Sequence, residues 1–262
     1  MNKLTNYSET ESLNGTKSVA KAMILAAGIG SRLKPWTNAH PKALATVHGK
    51  TLLQHNIEYL QQHGIKEVVI NVHHFAPQIL EIIEKNKGWG SNITISDETV
   101  QLLETGGGLL KAAPLLKDSN PIVLMNVDIL TDLNLSAMIG YHQEKKPLAT
   151  LATTNRETSR YFVFDEGNNL SGWRNVQSGE EKLSPGLKGD GLQKAFSGIH
   201  IIEATIFSLI TQQGKFSMVD VYLNLMNSHT IKSFDHSESR FIDVGKPESL
   251  AMAETKFSKV SF

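Results

Sequence analysis

The sequence contains no cysteine, so disulfide bonds, thiolate nucleophiles and cysteine-based zinc sites are excluded. It also lacks the His-Glu-x-x-His zinc motif and the Gly-x-Ser-x-Gly turn of serine hydrolases. The adjacent His73 and His74 follow an apolar segment, but no third ligand stands at a recognisable spacing from them. We therefore interpret both histidines as loop residues rather than as metal ligands.

Neither sign of charge is in excess, because lysine and arginine total 26 and aspartate and glutamate also total 26. A balanced chain has no overall field that would recruit nucleic acid or an anionic membrane. No apolar run approaches the roughly 18 residues that a membrane-spanning helix needs. We therefore expect no nucleic-acid partner, no membrane partner and a cytoplasmic location.

Residues 1–20 are mostly polar and contain no hydrophobic stretch of the kind found in secretory signals. We predict that they form a flexible N-terminal tail. The alternative is a short arm that packs on a partner subunit.

Two common phosphate-binding motifs are absent from the glycine-rich segment that follows. A Rossmann dinucleotide motif needs a third glycine where Leu33 stands. A P-loop needs Gly-Lys-Ser/Thr, whereas Gly30 is followed by Ser31 and Arg32. Dinucleotide dehydrogenases and P-loop enzymes are therefore disfavoured.

The same segment nevertheless has the composition of a phosphate site. An apolar run at 22–27, long enough for one buried strand, leads into Gly28 and Gly30 and then to the cations Arg32 and Lys42. Glycines let backbone N–H groups approach a phosphate closely, and the two cations can neutralise its charge. The pattern predicts that a nucleoside triphosphate binds here.

Apolar runs and amphipathic segments alternate along the first half of the chain, which predicts βαβ units and a mainly parallel sheet. Strands are predicted at 22–27, 68–72, 93–96 and 121–125, helices at 51–63 and from 77 to about 88, and a glycine-rich turn at 102–108. Strands are also predicted at 148–153, 161–164, 195–202 and 231–234, a strand and turn at 241–245, and helices at 218–226 and 247–256. The polar stretch 178–194 is predicted to be a mobile loop and a candidate lid.

The segment from Leu25 to Thr37 reads L-A-A-G-I-G-S-R-L-K-P-W-T and is closely followed by P-K-A-L. This spacing resembles the signature of the sugar-1-phosphate nucleotidyltransferases. The resemblance implies one Rossmann-like (GT-A-type) α/β domain at 21–262, with a mainly parallel mixed sheet flanked by helices. It also implies a nucleotide-binding half at 21–130 and a sugar-phosphate-binding half at 131–262.

The resemblance implies a role for each matching residue. Arg32 and Lys42 would be catalytic, and Asp128 and Asp243, from an N-x-D and a D-V-G motif, would bind Mg²⁺. Magnesium suits such a site because it takes one or two carboxylates and fills its octahedron with phosphate and water. The implied nucleotide-binding residues are Leu25, Ala26, Ala27, Gly28, Gly30, Ser31, Glu104, Thr105, Gly106, Gly107 and Asn126.

On the sugar side, the segment 196–199 (F-S-G-I) resembles the family's sugar-lining strand, which implies contacts from Ser197 and Gly198. The alternative is a core strand in which the glycine permits close approach. Asn175 is a further sugar-binding candidate. For the glycine-rich segment 102–108, the alternative to nucleobase binding is a helix entry with Thr105 as N-cap.

The implied reaction joins a nucleoside triphosphate to a sugar 1-phosphate and releases pyrophosphate, in a monomer or a small homo-oligomer. Because L-E-T-G-G-G and F-S-G-I occur together, the resemblance favours UTP and N-acetylmuramate 1-phosphate. Guanylyl or cytidylyl transfer to mannose, heptose or choline phosphate is the alternative within the class. A nucleotide-sugar-binding regulatory protein without catalysis is the alternative from another class.

Overall fold

The computed structural model describes residues 20–257, so the predicted tail lies outside the described residues except for Ala20. The first half of the chain alternates strands with helices. Its strands are β1 (Lys21–Leu25), β2 (Thr46–Val47), β3 (Lys50–Thr51), β4 (Glu67–Val72), β5 (Asn92–Asp97), β6 (Ile122–Asn126) and β7 (Ile129–Thr131). Its helices are α1 (Leu52–Gln62), α2 (Ala76–Lys85) and α3 (Glu104–Leu116). Short 3₁₀ turns occupy Ser31–Leu33, Trp36–Asn38, Lys42–Leu44 and Lys87–Gly90.

The second half is richer in strands. These are β8 (Ala149–Thr154), β9 (Arg160–Phe164), β10 (Leu170–Asn175), β11 (Glu181–Leu183), β12 (Leu192–Ile202), β13 (Ile231–Asp235) and β14 (Phe241–Asp243). The helices are α4 (Leu135–Lys145), α5 (Ile206–Leu209), α6 (Met218–Leu225) and α7 (Pro247–Lys256). Within residues 20–257, no helix combines the length and the apolar character that crossing a bilayer requires.

One sheet joins both halves, in the order β11-β10-β9-β12-β6-β1-β4-β5, with β8 also paired to β12 and β13 paired to β8. The pairs of β1 with β4 and β6, and of β4 with β5, are parallel. Strand β12 pairs antiparallel with β6, which is where the parallel half meets the second half. The predicted fold class, a Rossmann-like mixed α/β sheet flanked by helices, is confirmed.

Alternate residues of the central strand β1 face opposite layers of helices. Ala22 and Ile24 pack in one core cluster with α1 and α2, whereas Met23 and Leu25 pack in another with α3 and α6. A strand covered on both faces needs apolar residues at every position, which explains the continuous apolar runs in the sequence.

Two local predictions are wrong. The triple glycine at 106–108 is not a turn but lies inside α3, which begins at Glu104. The stretch 178–194 is not one long loop, because β11 and the start of β12 fall within it.

Packing explains the helical glycines. A Cβ at Gly106 would lie 2.5 Å from the Phe216 ring, and one at Gly107 would lie 2.2 Å from the Gly214 carbonyl oxygen. A Cβ at Gly108 would lie 2.6 Å from a carboxylate oxygen of Glu98. These glycines therefore let α3 approach two other segments closely, and this close approach offsets their low helix propensity.

Candidate active site

A cleft of about 400 Å³ lies at the carboxyl ends of β1 and β6. In α/β sheets this edge is where ligands bind. The cleft is lined by eleven of the residues predicted for the site, namely Leu25, Ala27, Gly28, Gly30, Ser31, Arg32, Lys42, Glu104, Thr105, Asn126 and Asp128. Segments that are distant in the sequence therefore meet at one cavity.

The loop after β1 presents backbone donors to this cleft. Among residues 20–257, no acceptor is bonded to the backbone N–H groups of residues 28–32. Gly30 adopts a left-handed conformation (φ 65°), and its carbonyl oxygen accepts a hydrogen bond from the Thr37 hydroxyl over 3.0 Å. Successive free N–H groups in a tight turn form a concavity that suits an anion.

Lys42 is held beside Asp128 at the floor of the cleft. The lysine is only 8% exposed, and its ammonium group forms an ion pair with the Asp128 carboxylate. A buried ammonium needs such a partner because desolvation would otherwise disfavour its charge. The pair fixes a positive charge next to the glycine loop.

Asp243 lies next to Asp128 although the two are far apart in the sequence. Strand β14 pairs antiparallel with β7, so Asp243 is opposite Ile129, and the Val244 N–H donates to the Asp128 carbonyl oxygen over 2.8 Å. Burial raises the pKa of the Asp243 carboxyl, and the Asp128 carboxylate adds to the rise. The Arg32 guanidinium, with a terminal nitrogen 3.9 Å from the Asp243 Oδ2 atom, opposes this rise in pKa.

The donor set around Asp243 fits a divalent cation. Its Oδ1 atom is buried and has no hydrogen-bond partner among the described residues. Two adjacent carboxylates, one with such an orphaned oxygen, suit a hard cation that takes its other ligands from phosphate and water. No group of three or more candidate ligands occurs in the part of the chain that the structure describes, so protein side chains alone would not complete a coordination shell.

Only two of the four nucleotide-binding residues predicted at the start of α3 line the cleft. Glu104 and Thr105 line the cavity, but the N–H groups of Gly106 and Gly107 both donate to the Phe216 carbonyl oxygen, over 2.9 and 3.2 Å. Thr105 is not an N-cap, because its hydroxyl accepts from the Met218 N–H over 2.9 Å. In the alternative interpretation, the predicted helix entry agrees with the start of α3 at Glu104, but the N-cap position is Leu103 and the assignment of Thr105 is wrong.

Two buried residues that the sequence interpretation missed join the loops on either side of the cleft. The Asn71 side chain accepts from the Ala26 N–H over 2.7 Å and donates to Glu98 over 2.7 Å. The second carboxylate oxygen of Glu98 accepts from the Leu103 N–H over 3.1 Å. Ala26 is buried and does not itself line the cleft. An isolated asparagine at a strand end gave no signal of this role.

The three predicted sugar-binding residues lie outside the lining of the cleft. Ser197 is buried, and its hydroxyl is hydrogen-bonded to His236 over 2.8 Å. Asn175 is half-buried in β10, where its Oδ1 accepts from the N–H groups of Gln177 and Ser178. Their sugar contacts stay a prediction.

Gly198 is the one of the three that borders a cleft residue. It lies in an irregular part of β12 with φ 73°, and a Cβ there would lie 2.7 Å from the Asn126 side chain. A side chain at this position would therefore displace Asn126.

A family model described as nucleotidyl transferase matches residues 21–259. The chain belongs to this family. The predicted family and the predicted enzyme class, a nucleotidyltransferase, are confirmed.

Curated relatives of this nucleotidyltransferase differ in the substrates that their names give. The N-acetylmuramate alpha-1-phosphate uridylyltransferase of Neisseria meningitidis serogroup B is 42% identical over 225 residues, covering 86% of this chain and 93% of its own. The enzyme of the same name from Caulobacter vibrioides is 28% identical, with 91% and 97% covered. The mannose-1-phosphate guanyltransferase of Yarrowia lipolytica is also 28% identical, but this chain spans only 61% of its length.

The fold of this nucleotidyltransferase is also found among solved structures. A Bacillus anthracis protein assigned as a glucose-1-phosphate thymidylyltransferase superposes with a TM-score of 0.78 and covers 93% of this chain and 97% of its own. Its sequence is 17% identical. The likeness therefore supports the fold alone.

Proposed function

We propose that this nucleotidyltransferase transfers a uridylyl group from UTP to N-acetylmuramate 1-phosphate, giving the nucleotide-sugar and pyrophosphate. The observation that carries the reaction class is the meeting of the free N–H groups at 28–32, the buried Lys42 and Asp128 at one cleft, with Asp243 held next to Asp128 by the pairing of β14 with β7. The choice of substrates rests on the two relatives of that name. Because the reaction consumes a nucleoside triphosphate, we place it in the cytoplasm, with a role in cell-wall sugar metabolism.

In the proposed reaction, a phosphate oxygen of the sugar 1-phosphate forms a bond to the α-phosphorus of UTP. The bond from that phosphorus to the bridging oxygen of the β-phosphate breaks, and pyrophosphate leaves with the electron pair. The attacking phosphate monoester is already anionic near neutral pH, so no general base is needed. Catalysis then depends on positioning and on neutralising charge.

The chain's own groups have distinct tasks in this scheme. The N–H groups of the loop at 28–32 and the Arg32 guanidinium bind the β- and γ-phosphates. Lys42 lies where the charges of the α-phosphate and the incoming phosphate meet, and its ion pair with Asp128 fixes its position. Glu104, Thr105 and Asn126 line the part of the cleft that would receive the nucleoside.

Asp128 and Asp243 are the residues that would hold Mg²⁺. When bound, the ion supplies further charge neutralisation to the phosphate oxygens. The buried and unpartnered Oδ1 of Asp243 supports this assignment.

A panel of nucleotides and acceptors tests the proposal. Pyrophosphate release is measured with UTP, GTP, CTP, ATP and dTTP, each against N-acetylmuramate, N-acetylglucosamine, mannose and glucose 1-phosphates. Fastest turnover with UTP and N-acetylmuramate 1-phosphate supports it. Preference for GTP and mannose 1-phosphate would replace the substrates with those of the guanyltransferase relative.

The non-catalytic alternative has its own outcome in the same panel. Nucleotide-sugar binding without pyrophosphate release from any pair would overturn the enzymatic proposal.

A further inference from the structure

Arg156 places a guanidinium group on the acceptor side of the acidic pair. It lies between β8 and β9, in the half predicted to bind the sugar phosphate. One terminal nitrogen donates to the Phe196 carbonyl oxygen over 2.8 Å, and Cζ lies 5.3 Å from the centroid of the Phe241 ring. These two contacts hold the guanidinium, but over residues 20–257 no carboxylate forms an ion pair with it.

The ring under this guanidinium belongs to the strand that carries Asp243. Phe241 and Asp243 are two residues apart on β14, so their side chains leave the same face of the strand, about 7 Å apart. The Arg156 guanidinium therefore lies beside the Asp243 carboxylate. It is one of the cations that oppose the rise in the Asp243 pKa caused by burial and by Asp128.

A second guanidinium, that of Arg32, also lies close to Asp243. Two residues further along the chain, a Cβ at Gly245 would lie 2.9 Å from a terminal nitrogen of Arg32. Arg32 and Arg156 thus both lie near the Asp243 carboxylate. Arg32 comes from the nucleotide loop, whereas Arg156 comes from the second half of the chain. In such an arrangement, Arg32 can serve the nucleoside triphosphate and Arg156 can serve the sugar 1-phosphate.

The unpaired state of Arg156 favours binding of an anion. The Arg156 side chain is exposed, and its guanidinium, although near the Asp243 carboxylate, forms no ion pair with a described carboxylate. One of its five N–H donors is used by Phe196. The remaining donors can form a bidentate contact with a phosphate or a carboxylate.

We propose that Arg156 binds an oxyanion of the acceptor sugar phosphate and thereby determines which acceptors are used. The inference rests on the proposed function. Two groups carry the required chemistry: the 1-phosphate, common to all acceptors, and the carboxylate of the lactyl ether in N-acetylmuramate. N-acetylglucosamine 1-phosphate has the same ring, acetamido group and phosphate but lacks that carboxylate, so the two sources can be separated.

The test compares the wild-type enzyme with Arg156→Gln and Arg156→Lys. The KM for UTP and the KM for the acceptor are measured separately, with N-acetylglucosamine 1-phosphate as a substrate or a competing inhibitor. We expect Arg156→Gln to raise the acceptor KM about tenfold or more and to leave the UTP KM unchanged, with partial recovery in Arg156→Lys. An effect confined to N-acetylmuramate 1-phosphate identifies the carboxylate, and an equal effect on both acceptors identifies the phosphate.

An unchanged acceptor KM in Arg156→Gln, or an equal rise in the UTP KM, would overturn the inference. Both results leave the proposed function intact, because they require turnover by the enzyme. Absence of turnover in the wild-type protein with every pair would instead defeat the proposed function itself.

Arg240→Gln is the matched control. The Arg240 guanidinium also lies over a phenylalanine ring, Phe257 at 5.1 Å, but it is paired with the Asp132 carboxylate over 2.7 Å. The substitution removes the same charge and a comparable stacking contact. We expect it to lower the melting temperature without changing the acceptor KM. An equal rise in the acceptor KM would show a general effect of charge or packing and would overturn the role of Arg156.

Discussion

The backbone N–H of Val244 donates to the carbonyl oxygen of Asp128, with 2.8 Å between nitrogen and oxygen. This contact brings the residue that follows Asp243 against Asp128, so both carboxylates project at the same end of the sheet. Backbone pairing, rather than attraction between side chains, holds them together. Two carboxylates held close repel each other, so the Asp128 carboxylate adds to the rise in the Asp243 pKa that burial causes, while Lys42, Arg32 and Arg156 oppose that rise.

We therefore predict that Asp243→Asn weakens divalent-cation binding by about tenfold or more, because one anionic ligand is lost. Mn²⁺ binding followed by electron paramagnetic resonance measures this directly, without turnover. The melting temperature in metal-free buffer should stay the same or rise, since the repulsion is relieved. Unchanged Mn²⁺ affinity would remove Asp243 from the cation site.

For Lys42→Ala we predict a loss in kcat on the order of 100-fold, as for other single electrostatic contacts to a transition state. Lys42→Arg should recover part of the activity because it retains the charge. Removing Lys42 leaves the Asp128 carboxylate without its partner, so the melting temperature is measured as well. A folded Lys42→Ala protein with near-normal turnover would exclude the lysine from the mechanism.

The two loop glycines should respond differently to alanine. Gly28 is exposed and a Cβ there meets nothing within 4 Å, so Gly28→Ala should leave stability unchanged. If a phosphate of UTP binds against the Gly28 backbone, the added methyl group should raise the UTP KM of Gly28→Ala. Gly30 has φ 65°, and its Cβ would lie 3.0 Å from both Thr37 and Lys42, so Gly30→Ala should cost about 1–3 kcal/mol of stability.

Thermal unfolding and steady-state kinetics of the two glycine variants separate the explanations. An unchanged UTP KM in Gly28→Ala would mean that no ligand approaches Gly28 closely.

Glu98→Gln should destabilise the network that joins the two loops. The carboxylate accepts from both Asn71 and the Leu103 N–H, whereas an amide can accept from one and would face the other with its own N–H groups. We expect a fall of about 1–3 kcal/mol in the free energy of unfolding, measured by urea denaturation. Glu144→Gln, at an exposed side chain paired with Lys145, is the control and should change little. Equal stability of both variants would contradict this role of the network.

Acid should destabilise the fold through its buried histidines. Burial lowers the pKa of His200 to about 3, whereas the unfolded chain takes up that proton near pH 6.5. Between these two pKa values the unfolded state binds one more proton than the folded state. The free energy of unfolding therefore decreases as the pH is lowered, by about 1.4 kcal/mol per pH unit for this residue. His236, whose pKa burial lowers to about 4, adds to the effect.

Urea unfolding of His200→Gln at pH 7, 6 and 5 checks this prediction. The variant should be less stable than wild type at pH 7, and the difference should shrink towards pH 5. Tyr222→Phe removes the hydrogen bond of 2.6 Å to His200 without removing the histidine and should retain the wild-type pH dependence. A constant difference between His200→Gln and wild type across this range would contradict the prediction.

The sequence predicted those parts of the site that depend on local chain geometry. Gly28, Gly30, Arg32 and Lys42 belong to one continuous segment, and the strand before it is marked by its apolar run. The fold class could also be predicted, because the alternation of strands and helices is visible in local sequence patterns.

The features that sequence interpretation missed depend on distant segments. The glycines at 106–108 resemble a loop in composition, but their small size serves the contact of α3 with Phe216, Gly214 and Glu98. Nothing near Asn71 indicates that its amide joins Ala26 to Glu98. Arg156 lies between two strands of the second half, and its position depends on the ring of Phe241, which is distant in the sequence.

The pairing of β7 with β14 also has a consequence for biosynthesis. Asp128 leaves the ribosome long before Asp243 does, and the antiparallel pair that aligns them cannot form until both strands have been made. A nascent chain that already has its nucleotide loop and Asp128 still lacks the second carboxylate. Catalytic competence should therefore arise only after β14 has been synthesised and has docked beside β7.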